Sequence, residues 1–114
     1  KNGDILVKGS TERFRDFIHI DDVVEAWYRA TVYQSTACQI LNLGTGSRTT
    51  VGQLLEKICS QALGSSFHID GCTLGDQTGI YADCKKLNKV LGMKNFVLID
   101  DGLRDFISWA KQGS

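Results

Sequence analysis

Apolar and polar residues change their period several times along this chain, and each change marks an element. Residues 4–8 (Asp-Ile-Leu-Val-Lys) predict a short strand closed by a turn at Gly9-Ser10. Residues 14–20, rich in Phe and Ile, predict a second strand. The period then lengthens. Val23, Val24, Trp27 and Ala30 recur at helical spacing, and Asp21 or Asp22 is placed to cap that helix. Residues 39–43 predict a third strand ending at Gly44. Val51, Leu54, Leu55, Ile58, Cys59 and Ala62 then form the clearest helical stripe, with Thr50 and Gln53 as a capping box and Gly64 as a left-handed stop. A strand over 66–70, a glycine-rich loop through Gly79 and a helix over 83–91 stopped by Gly92 follow. The last helix runs from about Asp101 to Ala110, with Leu103, Phe106, Ile107 and Ala110 as its stripe. Short strands alternating with about four helices predict an α/β or mixed α+β fold.

Length allows one domain over residues 1–114. Thirteen basic residues balance thirteen acidic ones, so nothing in the net charge draws the chain toward nucleic acid or an anionic membrane. No apolar run approaches the roughly 20 residues that span a bilayer, and no signal peptide is visible. Cys38, Cys59, Cys72 and Cys84 form no C-x-x-C pair, and with His19 and His68 they lack the close pairing of a zinc site; their even count allows a disulfide framework, but the favoured reading is reduced, partly buried thiols of a cytoplasmic protein. The chain starts at Lys1 and not at methionine, which fits a trimmed or excised piece.

Four patterns carry candidate chemistry. Gly44-Thr45-Gly46 lies between a strand and a helix, but Thr49 stands where a dinucleotide fingerprint needs its third glycine. It reads as a tight turn whose amides can meet an anion. Tyr81 and Lys85 have the Y-x-x-x-K spacing; on a helix they would share a face, where lysine favours the tyrosinate. The rival reading is a surface helix start. In Arg13-Phe-Arg-Asp-Phe-Ile-His-Ile-Asp-Asp22, alternation puts Arg15, Phe17 and His19 on one strand face. Arg15 then needs a partner: Asp16, Asp22 or a ligand phosphate. His19 reads as a structural histidine. In the loop Gly75-Asp76-Gln77, Asp76 is placed either to accept hydrogen bonds from sugar hydroxyls or to sit solvated in a turn.

Together these segments resemble a known family. Arg15-Asp-Phe-Ile-His-Ile-Asp-Asp22 resembles the R-D-[FY]-[IV]-H-V-x-D segment of extended short-chain dehydrogenases. Leu41-Asn-Leu-Gly-Thr-Gly46 with Thr50-Val51 resembles their N-[IL]-G-x-G…[ST]-[VI] segment. Gly75-Asp76, Tyr81-Ala-Asp83 and Leu91-Gly92 resemble G-D…A-D-x-x-K…L-G, and Ile99 to Trp109 resembles the final helix. The resemblance implies the C-terminal, substrate-side portion of an NAD-dependent nucleotide-sugar epimerase or dehydratase, matching roughly the last third of such a protein. It implies that the NAD-binding part and the catalytic Tyr and Lys lie outside these 114 residues, so that Tyr81 and Lys85 are not that pair. The chain alone is then expected to be inactive, with no cofactor and no metal of its own. Its expected partners are a UDP-, dTDP- or GDP-linked sugar, and either a second copy or the missing N-terminal domain. Arg15 matches the family's diphosphate-binding arginine, and Asp76 matches an aspartate near the ribose. Thr73 departs from the pattern, because many members carry a second phosphate-gripping arginine there. Such a loss costs roughly 1.5–3 kcal/mol. The alternative is a stand-alone, non-catalytic nucleotide-sugar-binding or oligomerisation module of the same descent.

Overall fold

The computed structural model describes residues 3–35 and 37–113. Four helices and four short strands follow one another as β1 (Asp4–Val7), β2 (Phe14–Arg15), α1 (Ile20–Val32), β3 (Thr49–Thr50), α2 (Val51–Gln61), β4 (Ser66–Ile69), α3 (Lys85–Leu91) and α4 (Ile99–Gln112). The mixed α/β class read from the sequence holds. β1 pairs in parallel with β4, from Asp4 opposite Ser66 to Val7 opposite Ile69. β2 pairs antiparallel with β3, and Phe14 also bridges Gly79.

Two expected strands are cut short. Of residues 14–20, only Phe14 and Arg15 join a ladder. Residues 39–43 join none among the described residues. That segment keeps its alternation, with Leu41 and Leu43 against the core and Ile40 83% exposed, but among the described residues no strand pairs with it. A β pattern fixes which face is apolar; a ladder also needs a neighbour.

The helix ends follow their caps. Thr50 Oγ1 accepts from Gln53 N at 3.1 Å while Gln53 Oε1 accepts from Thr50 N at 2.9 Å, the expected capping box. Thr50→Ala should therefore cost about 1 kcal/mol in a denaturant titration. Val51 N and Gly52 N donate to the carbonyls of Arg13 and Thr11, which seats α2 on the approach to β2. The cap of α1 differs from expectation. His19 is the N-cap, its Nδ1 accepting from Asp21 N at 3.1 Å. Asp22 instead accepts from Val97 N at 2.9 Å, tying α1 to the entry of α4. Gly92 takes the left-handed stop after α3 at φ 67°.

The core is small. Ala26 of α1, Leu87 of α3 and Met93 form its centre, and Leu41, Leu43, Cys84, Leu91 and Phe96 pack around them. Arg29 Nη1 donates to Leu91 O at 3.0 Å and links α1 to the end of α3. Lys57 pairs with Asp100 at 2.8 Å and links α2 to α4. Much of the predicted helical stripe stays bare: Val24 and Trp27 of α1 and Phe106 of α4 are all more than half exposed, as is Trp109 beside that stripe. The molecule measures 53 × 36 × 18 Å. Its radius of gyration is 17.0 Å, against about 13 Å for a compact chain of this length. It exposes 8410 Å², roughly 2,200 Å² more than a compact monomer of its mass. That excess is larger than one side of a standard protein interface, roughly 800 Å².

Candidate functional site

β2, the loop before it and the glycine-rich loop 70–79 meet at one edge, and two arginines converge there on one carboxylate. Arg13 Nη1 donates to Asp76 Oδ2, and Arg15 Nη2 lies 3.5 Å from Asp76 Oδ1. The two sequence-predicted residues, Arg15 and Asp76, are therefore neighbours, although 61 positions separate them. Arg15 Nη1 also donates to Phe14 O at 2.8 Å. Arg13 is held more tightly: its Nε donates to Ser10 O at 2.8 Å and its Nη2 to Lys8 O at 2.9 Å. The sequence reading passed over Arg13. The alternation that placed Arg15, Phe17 and His19 on one face extends back to it and was the available signal.

Neither carboxylate offered by the sequence as a partner for Arg15 takes that role. Asp22 holds Val97, and Asp16 holds the turn after residue 43. Asp16 accepts from Thr45 N at 3.0 Å, Thr45 Oγ1 at 2.5 Å, Gly46 N at 3.0 Å and Ala82 N at 3.2 Å. Burial pushes this carboxyl up, but the donors of Thr45, Ala82 and Gly46 outweigh burial and hold it below its ordinary value near 3.8. A side chain on Gly44 has no room here, since its Cβ would sit 2.6 Å from both Ala82 Cβ and Asp16 Oδ2. The anion met by the Gly44-Thr45-Gly46 amides is thus Asp16 itself. A pyrophosphate would have to displace that carboxylate, so this turn does not fit the phosphates of a dinucleotide such as NAD.

Phe14 shapes the rest of the edge. Its ring covers Gly79, where any Cβ would overlap it, meets Tyr81 edge-on at 6.2 Å between centroids, and carries Arg48 4.7 Å above its face. Tyr81 lies outside any helix, ahead of α3, and Lys85 is the first residue of that helix, so the two share no helical face. Cys84 donates its thiol to Gly44 O at 3.2 Å. Burial, then the carboxylates of Asp16 and Asp83, push that thiol up, away from nucleophilic thiolate chemistry. All four cysteines are free; Cys59 and Cys84 are half-buried, whereas Cys38 and Cys72 are exposed. Among the described residues no group of three or more His, Cys, Asp or Glu could hold a metal, and no helix is long and apolar enough to cross a membrane. An apolar cavity of about 430 Å³ lies apart from the arginines, between residues 17–20 and α4, lined by Phe17, Ile20, Leu98, Phe106 and Trp109 among others.

The chain is 35% identical over 104 residues to UDP-glucose 4-epimerase 3 of Oryza sativa subsp. japonica, covering 86% of this chain and 28% of that protein. It is 33% identical over 104 residues to the bifunctional UDP-glucose 4-epimerase and UDP-xylose 4-epimerase 3 of Arabidopsis thaliana, covering 86% of this chain and 29% of the relative. The solved structure of MoeE5 in complex with UDP-glucuronic acid and NAD superposes on 97% of this chain and 38% of that one, with a TM-score of 0.88 at 25% identity. The chain belongs to the extended short-chain dehydrogenase/reductase family. It spans under a third of the length of these two relatives. No family model matches the sequence. Within this extended dehydrogenase/reductase chain, Thr73 lies in the exposed loop that carries Asp76, and that loop, residues 70–79, has no basic residue.

Proposed function

We propose that these 114 residues are a single substrate-binding domain of an NAD-dependent nucleotide-sugar epimerase or dehydratase, with Arg15 gripping the diphosphate and Asp76 accepting from the ribose. The observation that carries this reading is the meeting of Arg15 and Asp76 at one exposed edge. A guanidinium presents a planar fork suited to phosphate oxygens, and a carboxylate beside it suits vicinal hydroxyls. The names of the relatives support a UDP-linked sugar, and MoeE5 holds such a sugar together with NAD.

Hydride transfer belongs to the nicotinamide cofactor, and no residue of this chain is assigned to it. The bare faces of α1 and α4 and the extra exposed area fit a surface that an NAD-binding part, or a second copy, covers. Four free cysteines, two of them exposed, fit the cytoplasm. Incubating the purified chain with NAD and UDP-glucose tests the non-catalytic half of the reading. The expected result is no change at the sugar's 4-position; measured turnover would contradict it. Calorimetric titration with UDP-, dTDP- and GDP-sugars tests the binding half, and saturable heat with one base is expected.

A further inference from the structure

We propose that Arg13 and Arg15 form a two-guanidinium site for a diphosphate group, and that Asp76 fills this site from within when it is empty. The inference rests on the nucleotide-sugar reading for the class of ligand and adds to it a second arginine and an internal competitor.

The geometry is that of two forks on one anion. Arg13 stands two positions before Arg15, just ahead of β2, and both side chains reach the same side of the edge. Each reaches a different oxygen of the Asp76 carboxylate. Two cations facing one carboxylate leave a net positive charge at the edge. A diphosphate carries about two negative charges and several acceptor oxygens spread wider than a carboxylate's two, so it matches the pair better.

Arg13 is preorganised. Lys8 O and Ser10 O fix its Nη2 and Nε, and Gly9, at φ 101°, leaves the space in which the guanidinium lies; a Cβ there would stand 3.0 Å from Arg13 Cζ. The Nη1 edge is the one aimed at Asp76. The Arg13 side chain is 19% exposed, against 35% for Arg15. Asp76 has a side chain 22% exposed and sits on a loop whose backbone is open to solvent. Residues 71–78 are all exposed, and Gly75, at φ 76°, has nothing within 4 Å of where its Cβ would be. Release of Asp76 breaks its two guanidinium contacts while Gly71 O and Thr78 O still anchor the loop to Gly9 N and Phe14 N, and it frees the carboxylate for the neighbouring hydroxyls. Loop 70–79 contains no Lys or Arg, and Arg48 lies over the Phe14 ring, so Arg13 is the cation that joins Arg15 on Asp76.

The test titrates the whole 114-residue chain and its variants with inorganic pyrophosphate and, separately, with UDP at low salt, following amide shifts. Asp76→Asn removes the competitor, so pyrophosphate affinity should rise roughly tenfold, while UDP should gain less because its ribose loses an acceptor. Arg13→Gln should weaken both ligands roughly tenfold. If Asp76→Asn leaves pyrophosphate affinity unchanged or lower, the proposal is overturned. If folded Arg13→Gln binds like the wild type while Arg15→Gln does not, Arg13 is a structural tie and the proposal falls, yet the nucleotide-sugar reading survives. If pyrophosphate behaves as expected but UDP binds no better than pyrophosphate to the wild type, the anion site stands and the nucleotide reading fails. Should Arg13→Gln not fold, Asp76→Asn, which keeps Arg13 intact, decides alone.

Discussion

Replacing Asp16 by alanine should destabilise the chain by about 2–4 kcal/mol, because it strands four donors in a partly buried turn. Three are backbone amides, of Thr45, Gly46 and Ala82, and the fourth is the Thr45 hydroxyl. These donors come from two separate stretches of chain, so the loss also unties the segment leading into α1 from the turn after residue 43 and from residue 82. Asp16→Asn should fall between wild type and alanine, since an amide keeps one acceptor oxygen but turns an N–H toward other donors. The effect should depend on pH in a definite direction. The folded carboxyl lies below its ordinary value near 3.8, so the stabilisation it provides is complete above that value and is lost as pH falls through the lowered folded one. Urea titrations of wild type and Asp16→Ala at pH 7 and near pH 3 check this. The difference between the two proteins should shrink at the lower pH; an undiminished gap would mean that the carboxylate's charge is not what holds the turn.

Arg15→Ala should show the opposite division of effects. Its ion pair with Asp76 is long, at 3.5 Å, and its side chain is about one-third exposed, so stability should change by less than about 1 kcal/mol. Affinity for a UDP-sugar should nevertheless fall roughly 10- to 100-fold, the worth of a charge-assisted fork to phosphate. Arg15→Lys should recover only part of that loss, because an ammonium offers a point charge in place of a planar fork. Calorimetry of the three proteins, with thermal unfolding as the control, reads both quantities. An unchanged affinity in a folded Arg15→Ala protein would remove Arg15 from the site.

The helices were legible because their signals are local. The Thr50–Gln53 box, the stripe from Val51 to Ala62 and the stop at Gly92 all lie within a few residues of what they determine. Strands were less legible, since a ladder depends on what lies alongside. Residues 39–43 alternate correctly and still pair with nothing among the described residues. Caps failed where two residues competed for one task. Asp21 and Asp22 both suit an N-cap, but His19 arrives one position before the helix with an acceptor nitrogen, and Asp22 finds Val97, 75 positions away. The same long reach hid the role of Asp16. Its neighbour Arg15 made an ion pair the natural reading, whereas the carboxylate spends its lone pairs on amides about 30 and 66 positions away. Arg15 and Asp76 each stood out as candidates from their own segments, but only the family resemblance joined them in one site.

Residue-resolved NMR titration of the labelled chain with UDP-, dTDP- and GDP-sugars tests the central claim most directly. Saturable shifts confined to Arg13–Asp16 and Gly75–Gln77, with one base clearly preferred, are the predicted result. A well-dispersed spectrum that no nucleotide sugar perturbs at these residues would contradict the account.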